Sequence, residues 1–197
     1  MLHRRLLEKQ GFTTERYFLT MACTLAQVLP PFNLPDGFTL RSLRGERDIT
    51  AWVELFNESF IDHWNHQDVT ATSVRHWLKN PHYKPELNLV AVAPDKTFAA
   101  FCVGYINQEE NARIRRNQGW IKLLGTRRGF RKLGLGRAML LAGMRQLKAV
   151  GVEQVKLGVD AQSMTNATRL YESVGFQPIH TWLSYVKEIY TELHSKR

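Results

Sequence analysis

The run Arg131-Lys132-Leu133-Gly134-Leu135-Gly136-Arg137 sets two glycines and three cations between an apolar segment, Trp120–Leu124, and a helical pattern from Ala138 to Val150. A strand that turns through glycines into a helix start gathers several unpaired backbone N–H groups, an arrangement that can hold a phosphate. Gly134 and Gly136 permit close backbone approach, and Arg131, Lys132 and Arg137 add charge that suits a pyrophosphate. A dinucleotide-binding fingerprint is excluded, because Met139 stands where its third glycine belongs. A Walker loop would close on Gly-Lys-Ser/Thr, and Arg137-Ala138 stands there instead. One strand further on comes Leu170-Tyr171-Glu172-Ser173-Val174-Gly175-Phe176, which puts a phenol on a short helix.

The elements that must position these groups follow from patterning. Phe38–Leu43 alternates apolar and polar side chains and is expected to be the first strand of the complete domain. Asp48 is expected to cap a helix through about Phe60, with Ile49, Trp52, Val53, Leu55, Phe56 and Phe60 as its apolar set. A second helix covers Thr72–Lys79 and stops before Pro81. Leu87–Ala93 and Thr97–Asn107 read as paired strands turning near Pro94-Asp95-Lys96. Gln118–Leu124 is the fourth strand, Gly136–Val150 a helix ended by Gly151, Gln154–Ala161 the fifth strand, Thr165–Ser173 a short helix, and Phe176–Lys187 the closing strand. Strands in series followed by strand–helix–strand order predict an α/β protein with a mixed, largely antiparallel central sheet flanked by helices.

Together the two motifs resemble the acetyl-CoA-dependent N-acetyltransferase (GNAT) superfamily, whose pattern is Arg/Gln-x-x-Gly-x-Gly/Ala after the fourth strand and Leu-Tyr-x-x-x-Gly-Phe after the fifth. The resemblance covers residues 38–190 and implies the GNAT fold, acetyl-CoA as co-substrate, and transfer of its acetyl group to a primary amine of a small molecule or peptide within a ternary complex. It implies cofactor contacts from Leu124, Gly125 and Thr126, then from Arg131, Lys132, Leu133, Gly134, Leu135, Gly136 and Arg137. The oxyanion donor it implies is an amide of the fourth strand, exposed where that strand splays from the fifth. Tyr171 takes the general-acid position, since a phenol keeps its proton at neutral pH and can pass it to a thiolate.

Two departures stand out. Ser163 falls where the family commonly has a pantetheine-binding asparagine, and Asn166 where many relatives have glycine; either can take that role. The fourth strand, Trp120-Ile121-Lys122-Leu123-Leu124, has no carboxylate to act as base. Glu109, Glu110, His63 and His66 are the remaining candidates beside a solvent chain, each equally readable as an ordinary polar residue. Trp64, Asn65, His66, Trp77 and Tyr83 are candidates for the acceptor pocket, with simple packing as their other reading. The missing base leaves an alternative open, an acyl-CoA-binding module with weak or no catalysis.

A net charge of +9 would serve nucleic acid or acidic substrates, but the cations Arg127, Arg128, Arg131, Lys132 and Arg137 gather at the glycine loop, which fits an anionic cofactor better. Cys23 and Cys102 lack paired spacing, so neither a disulfide nor a metal site is expected and a reducing cytoplasm is the default compartment. Arg4-Arg5 before Tyr17–Leu29 has the order of a signal peptide. Glu8, Lys9, Glu15 and Arg16 break it up, and the apolar part is too short to span a bilayer.

That beginning repeats the end. Arg5-Leu6-Leu7-Glu8-Lys9-Gln10-Gly11-Phe12 aligns with Arg169–Phe176, and without a gap Phe18-Leu19-Thr20 falls opposite Trp182-Leu183-Ser184. Residues 1–26 thus resemble the tail of a preceding GNAT domain, as in tandem acetyltransferases of the mycothiol synthase type, with Leu7 in place of Tyr171. Residues 27–37, rich in proline, read as a linker, and 191–197 as a polar tail. An apolar remnant strand over Arg16–Leu25 has to cover its face on the complete domain or on a partner chain, a homodimer included.

Overall fold

A computed structural model of the chain describes residues 2–64, 66–163 and 167–188. Its elements run α1 (Leu2–Lys9), β1 (Thr13–Thr24), β2 (Thr39–Ser42), α2 (Ile49–Phe60), α3 (Ala71–Leu78), β3 (Asn88–Val92), β4 (Phe98–Tyr105), α4 (Gln108–Ile114), β5 (Gln118–Thr126), α5 (Leu135–Ala149), β6 (Gln154–Asp160), α6 (Ala167–Glu172) and β7 (Gln177–Val186). Seven strands form one sheet in the order β2-β3-β4-β5-β6-β1-β7, parallel between β5 and β6 and antiparallel elsewhere.

Alternation along the strands divides the core between two faces. Leu89, Ala91, Ala100, Cys102 and Ile121 point towards α5, where Met139, Leu140, Met144 and Leu147 are fully buried. Val90, Phe101, Val103 and Leu123 point the other way, towards Trp52 and Leu55 of α2 and Val74 of α3. On that side Phe101 is fully buried and touches the rings of Trp52, Phe56 and Phe60 at centroid separations of 5.4, 6.0 and 6.0 Å. Each such pair adds about 0.5–1.5 kcal/mol beyond area burial, which makes α2 a firm wall.

Three local features differ from the patterning. Asp48 stands at the N-cap of α2, yet its carboxylate does not cap the helix. It accepts from the Arg44 amide at 2.7 Å and from both terminal nitrogens of Arg41, because Arg41 and Arg44 offer charge-assisted bonds that a helix amide cannot match. Residues 108–114 form a helix that apolar periodicity had not indicated, since α4 buries none of its side chains. The polar signal was there: Asn107 Oδ1 accepts from the Glu110 amide at 3.0 Å, an N-cap followed three residues on by an acid. The stretch 27–37 runs along α5, with Arg145 donating to the Pro30 carbonyl, Lys148 donating to the Gln27 carbonyl, and Phe32 beneath the Arg145 guanidinium.

β1 lies inside the sheet. It pairs with β6 on one side, Phe18 opposite Asp160, and with β7 on the other. Met21, Ala22 and Cys23 are buried in succession, as expected of a strand covered on both faces. In its register with β7, Phe18 faces Trp182, the residue it aligns with in the internal repeat. Tyr17 faces Leu183 and Leu19 faces Thr181, so the aligned partners exchange places across that pair. A local pseudo-two-fold axis therefore passes between Phe18 and Trp182, and the Trp182 indole donates to Thr20 Oγ1 at 2.9 Å beside it.

Candidate active site

β5 and β6 pair only from Gln118/Gln154 to Ile121/Leu157, although β5 continues to Thr126 and β6 to Asp160. Beyond that point β5 remains paired to β4 alone, with Lys122 as the extra residue between the Gly104–Ile121 and Val103–Leu123 pairs. A bulge of this kind turns the strand and re-aims its backbone groups. The strands part like a V, and one edge of Lys122–Thr126 carries backbone groups with no strand beside them. Leu124 and Thr126 are half-buried on the walls of that opening, while Gly125 is buried. A side chain at Gly125 would run into the Phe101 ring and Ser59, so this glycine lets α2 close against the strand.

At the end of β5 the chain makes a short 3-10 turn, Arg128–Phe130, and enters α5. Lys132 and Gly134 both adopt left-handed backbone, φ 65° and 83°. Such a conformation is strained for lysine and points to function; at Gly134 it costs nothing. Gly134 is the N-cap of α5, no side chain caps the helix, and its first turn carries no acid. The first ladder bond is Ala138 N–H to the Gly134 carbonyl, so the amides of Leu135, Gly136 and Arg137 lead the helix free of ladder partners. A Cβ at Gly134 would meet nothing within 4 Å, which leaves room on the approach. Leu135 is anchored in the core and Leu133 is half-exposed.

The cations divide into two groups. Arg131 bonds Asp62 Oδ2 at 2.6 Å, the Ser59 carbonyl at 3.0 Å and the Thr126 carbonyl at 3.4 Å. Arg128 reaches Asp62 Oδ1 at 3.2 Å. Asp62, just beyond α2, thus ties the glycine loop to that helix, and the bond from Arg131 holds its carboxyl below the usual carboxylate range. Arg131 thus braces the loop against α2. Among the described residues Lys132 and Arg137 enter no ion pair, and they keep the loop positive.

Tyr171 on α6 is buried, its ring 6.0 Å from that of Phe176. Burial first, and the neighbouring Cys102 second, push the phenol up to about 12. Burial pushes the Cys102 thiol up to about 12 as well.

The other candidate residues are scattered. Ser163 follows β6, its amide donating to the Asp160 carbonyl; Asn166 and Asn65 lie outside the described residues. Glu109 and Glu110 sit on α4, whose Asn111 bonds the Gln118 carbonyl at the start of β5. That end of β5 is the one still paired with β6, away from the parting beyond Ile121. His63 packs edge-on against Phe60, and His66 pairs with Asp68 at 2.8 Å. Trp64 packs against Phe18 and lies over the Arg16 guanidinium. Arg16 in turn is paired with the buried Asp160 at the tip of β6, a contact invisible to spacing because it depends on β1 lying beside β6. Trp77 and Tyr83 do line a cavity, between α2, α3 and the sheet. No helix among the described residues is long and apolar enough to cross a membrane.

The acetyltransferase (GNAT) family model matches residues 49–176. A mycothiol acetyltransferase of Thermobispora bispora is 33% identical over 175 residues, covering 87% of this chain and 57% of that protein. A mycothiol acetyltransferase of Kineococcus radiotolerans is 33% identical over 183 residues, covering 91% and 56%. The crystal structure of a GCN5-related N-acetyltransferase from Sphaerobacter thermophilus superposes with a TM-score of 0.79 at 30% identity, covering 93% of this chain and 55% of that one. A tandem GNAT protein from the clavulanic acid pathway shares the fold, at TM-score 0.69 and 13% identity. The chain spans a little over half the length of these curated relatives.

Proposed function

The chain belongs to the acetyltransferase (GNAT) family, and from that premise we propose that it moves an acetyl group from acetyl-CoA to a primary amine of a small molecule or peptide, both substrates being bound at once. The observation that carries this reading is the parting of β5 from β6 immediately before an uncapped, acid-free helix start. The residues present fit the donor. Lys132 to Arg137 offer consecutive backbone N–H groups and two unpaired cations to a pyrophosphate. The open edge of Lys122–Thr126 offers strand hydrogen bonds to an extended amide-bearing arm. When bound, the thioester supplies an activated acetyl group.

The chain's own groups then have three tasks. An unpaired β5 amide stabilises the developing oxyanion, a donor already in place and costing no reorganisation. Tyr171, kept protonated by its burial, gives its proton to the departing thiolate. The acceptor nitrogen must reach the thioester neutral. Asp62 beside the glycine loop and Asp160 at the tip of β6 are both engaged by arginine and β5 carries no carboxylate, so the amine loses its proton to solvent, and kcat/KM should rise with pH until the substrate amine itself is neutral.

We also infer that residues 1–26 are the tail of a first GNAT unit, supported by the repeat and by the pseudo-two-fold register of β1 with β7. The test of the main reading is direct. Coenzyme A at millimolar concentration should raise the melting temperature, and acetyl-CoA with an amine panel should release free thiol. Failure to bind coenzyme A would refute the donor site, and binding without turnover of any amine would leave a coenzyme A-binding module.

A further inference from the structure

We propose that the acceptor is an amine that also carries an anionic group, carboxylate or phosphate. Lys122 and Lys156 hold that group where β5 and β6 part, and the body of the molecule lies over Gly158. The inference rests on the acetyltransferase reading and adds the class of the second substrate.

Val155, Leu157 and Val159 of β6 pack on the α5 side of the sheet. Strand alternation therefore turns Lys156, Gly158 and Asp160 to the opposite face. Trp120 of β5 stands beside Lys156 there. The Lys156 ammonium lies 5.8 Å from the centre of the Trp120 ring. The Lys122 ammonium lies 5.0 Å from that centre and 5.0 Å from the centre of the Tyr105 ring. Two like charges thus gather at one indole, and among the described residues neither enters an ion pair. Ile121 and Leu157 are the last pair before the strands separate, so the two cations flank the apex of the V. The donor's pyrophosphate has its own cations, Lys132 and Arg137, beyond the end of β5 at Thr126.

A second observation is independent of charge. Gly158 is exposed in mid-strand, and a Cβ built on it meets nothing within 4 Å. Its backbone is not left-handed either, so neither packing nor conformation requires glycine there. A strand glycine of this kind marks the close approach of a ligand. Thr20 is paired with Gly158, and Trp182, 62% exposed, is fastened to Thr20 Oγ1 through its indole N–H. The acceptor body thus has a bare floor at Gly158 and a fixed aromatic wall at Trp182.

The two lysines serve two ends. Their N–H groups suit carboxylate or phosphate oxygens. Their charges also disfavour an ammonium nearby, which favours the neutral form of the acceptor nitrogen beside a strand that has no carboxylate of its own. Asp160, on the same face, is already held by Arg16, so a polyamine finds repulsion there and no free counter-charge.

The experiment sets 4-(aminomethyl)benzoate against benzylamine, and O-phosphoethanolamine against ethanolamine, with spermidine beside them. The two pairs distinguish carboxylate from phosphate as the recognised anion. One readout is saturation-transfer NMR of each amine on the protein, which needs no turnover; the other is thiol release with acetyl-CoA. At least one anionic amine is expected to bind and to exceed its uncharged partner about tenfold in kcat/KM, the weight of one charge-assisted hydrogen bond, with the margin shrinking as salt rises. The double variant Lys122→Gln, Lys156→Gln should erase the margin and keep the melting response to coenzyme A. Gly158→Val should melt no lower than the parent, since valine suits a strand, yet should raise KM for the anionic amine about tenfold. Binding of an anionic amine without any coenzyme A response would support this face and refute the donor site. A coenzyme A response without binding of either anionic amine would overturn the proposal and leave the donor site standing. Equal or better use of the uncharged partners or spermidine, an unchanged margin in the double variant, or an unchanged KM in Gly158→Val would also overturn it.

Discussion

Replacing Tyr171 with phenylalanine isolates one hydroxyl. The ring stays, and with it the packing against Phe176 and the burial that fixes α6. Melting temperature and coenzyme A binding should therefore change little. The chemical step should slow by about 10²-fold, equivalent to about 2.7 kcal/mol, the usual weight of general-acid catalysis. The acidity of the phenol sharpens the test. Because Tyr171 is pushed up to about 12, it stays protonated throughout the working range, so the parent enzyme should show no alkaline fall in rate between about pH 8 and 10. Stability carries a matching signature. A phenol whose folded pKa exceeds the unfolded value near 10 stabilises the fold fully below about pH 10 and loses that contribution as pH rises towards 12. The phenylalanine variant should lose this alkaline sensitivity. Single-turnover thiol release across pH, beside thermal melts, measures both effects. An unaltered single-turnover rate would remove Tyr171 from the chemistry, and an alkaline limb that vanishes in the variant would show that the acidity argument is wrong.

Three further outcomes are expected. Gly136→Asp should fold, since a Cβ there lies 3.6 Å from Leu170 and 3.7 Å from Thr126, but should abolish the melting shift given by coenzyme A; a retained shift would move the phosphate site elsewhere. Deleting residues 1–26 removes the one strand that pairs with β7 among the described residues, so the fragment should aggregate or lose cooperative melting, and a stable monomer would contradict an internal β1. Burial raises Asp48, but the bonds from Arg41 and Arg44 outweigh it and hold the carboxyl at about 2. About 2 kcal/mol of stability should therefore be present above pH 4 and fade as pH falls from about 4 to 2, with Asp48→Asn showing no such fade in acid melts.

Much of the site was legible because its signals are local. Glycine spacing, the flanking cations and the Leu170–Phe176 motif all act within a few residues of where they stand, and β5, α5, β6 and β7 fall within two residues of their expected bounds. What escaped depends on distant partners. Arg131 shows no acidic partner near it in the sequence until α2 brings Asp62 to it. Asp48 reads as a cap until Arg41 arrives from β2. Glu109 and Glu110 looked near the site because α4, buried on no face, left no apolar period to reveal the turn that carries them to the far end of β5.

The place of β1 also sets a timetable. Of the seven described strands it is made first, yet its two neighbours, β6 and β7, come from the last quarter of this sequence. At synthesis rates of about 5–20 residues per second the ribosome needs on the order of ten seconds to supply them. Through that interval Phe18–Cys23 lacks the two strands with which it pairs. β7 cannot dock before β1, because among the described residues β1 is its one strand partner, and α6 hangs between β6 and β7. The helix that bears Tyr171 is therefore secured in the final step of assembly, and as the last unit to close it is also the one that native-state hydrogen exchange should find opening first.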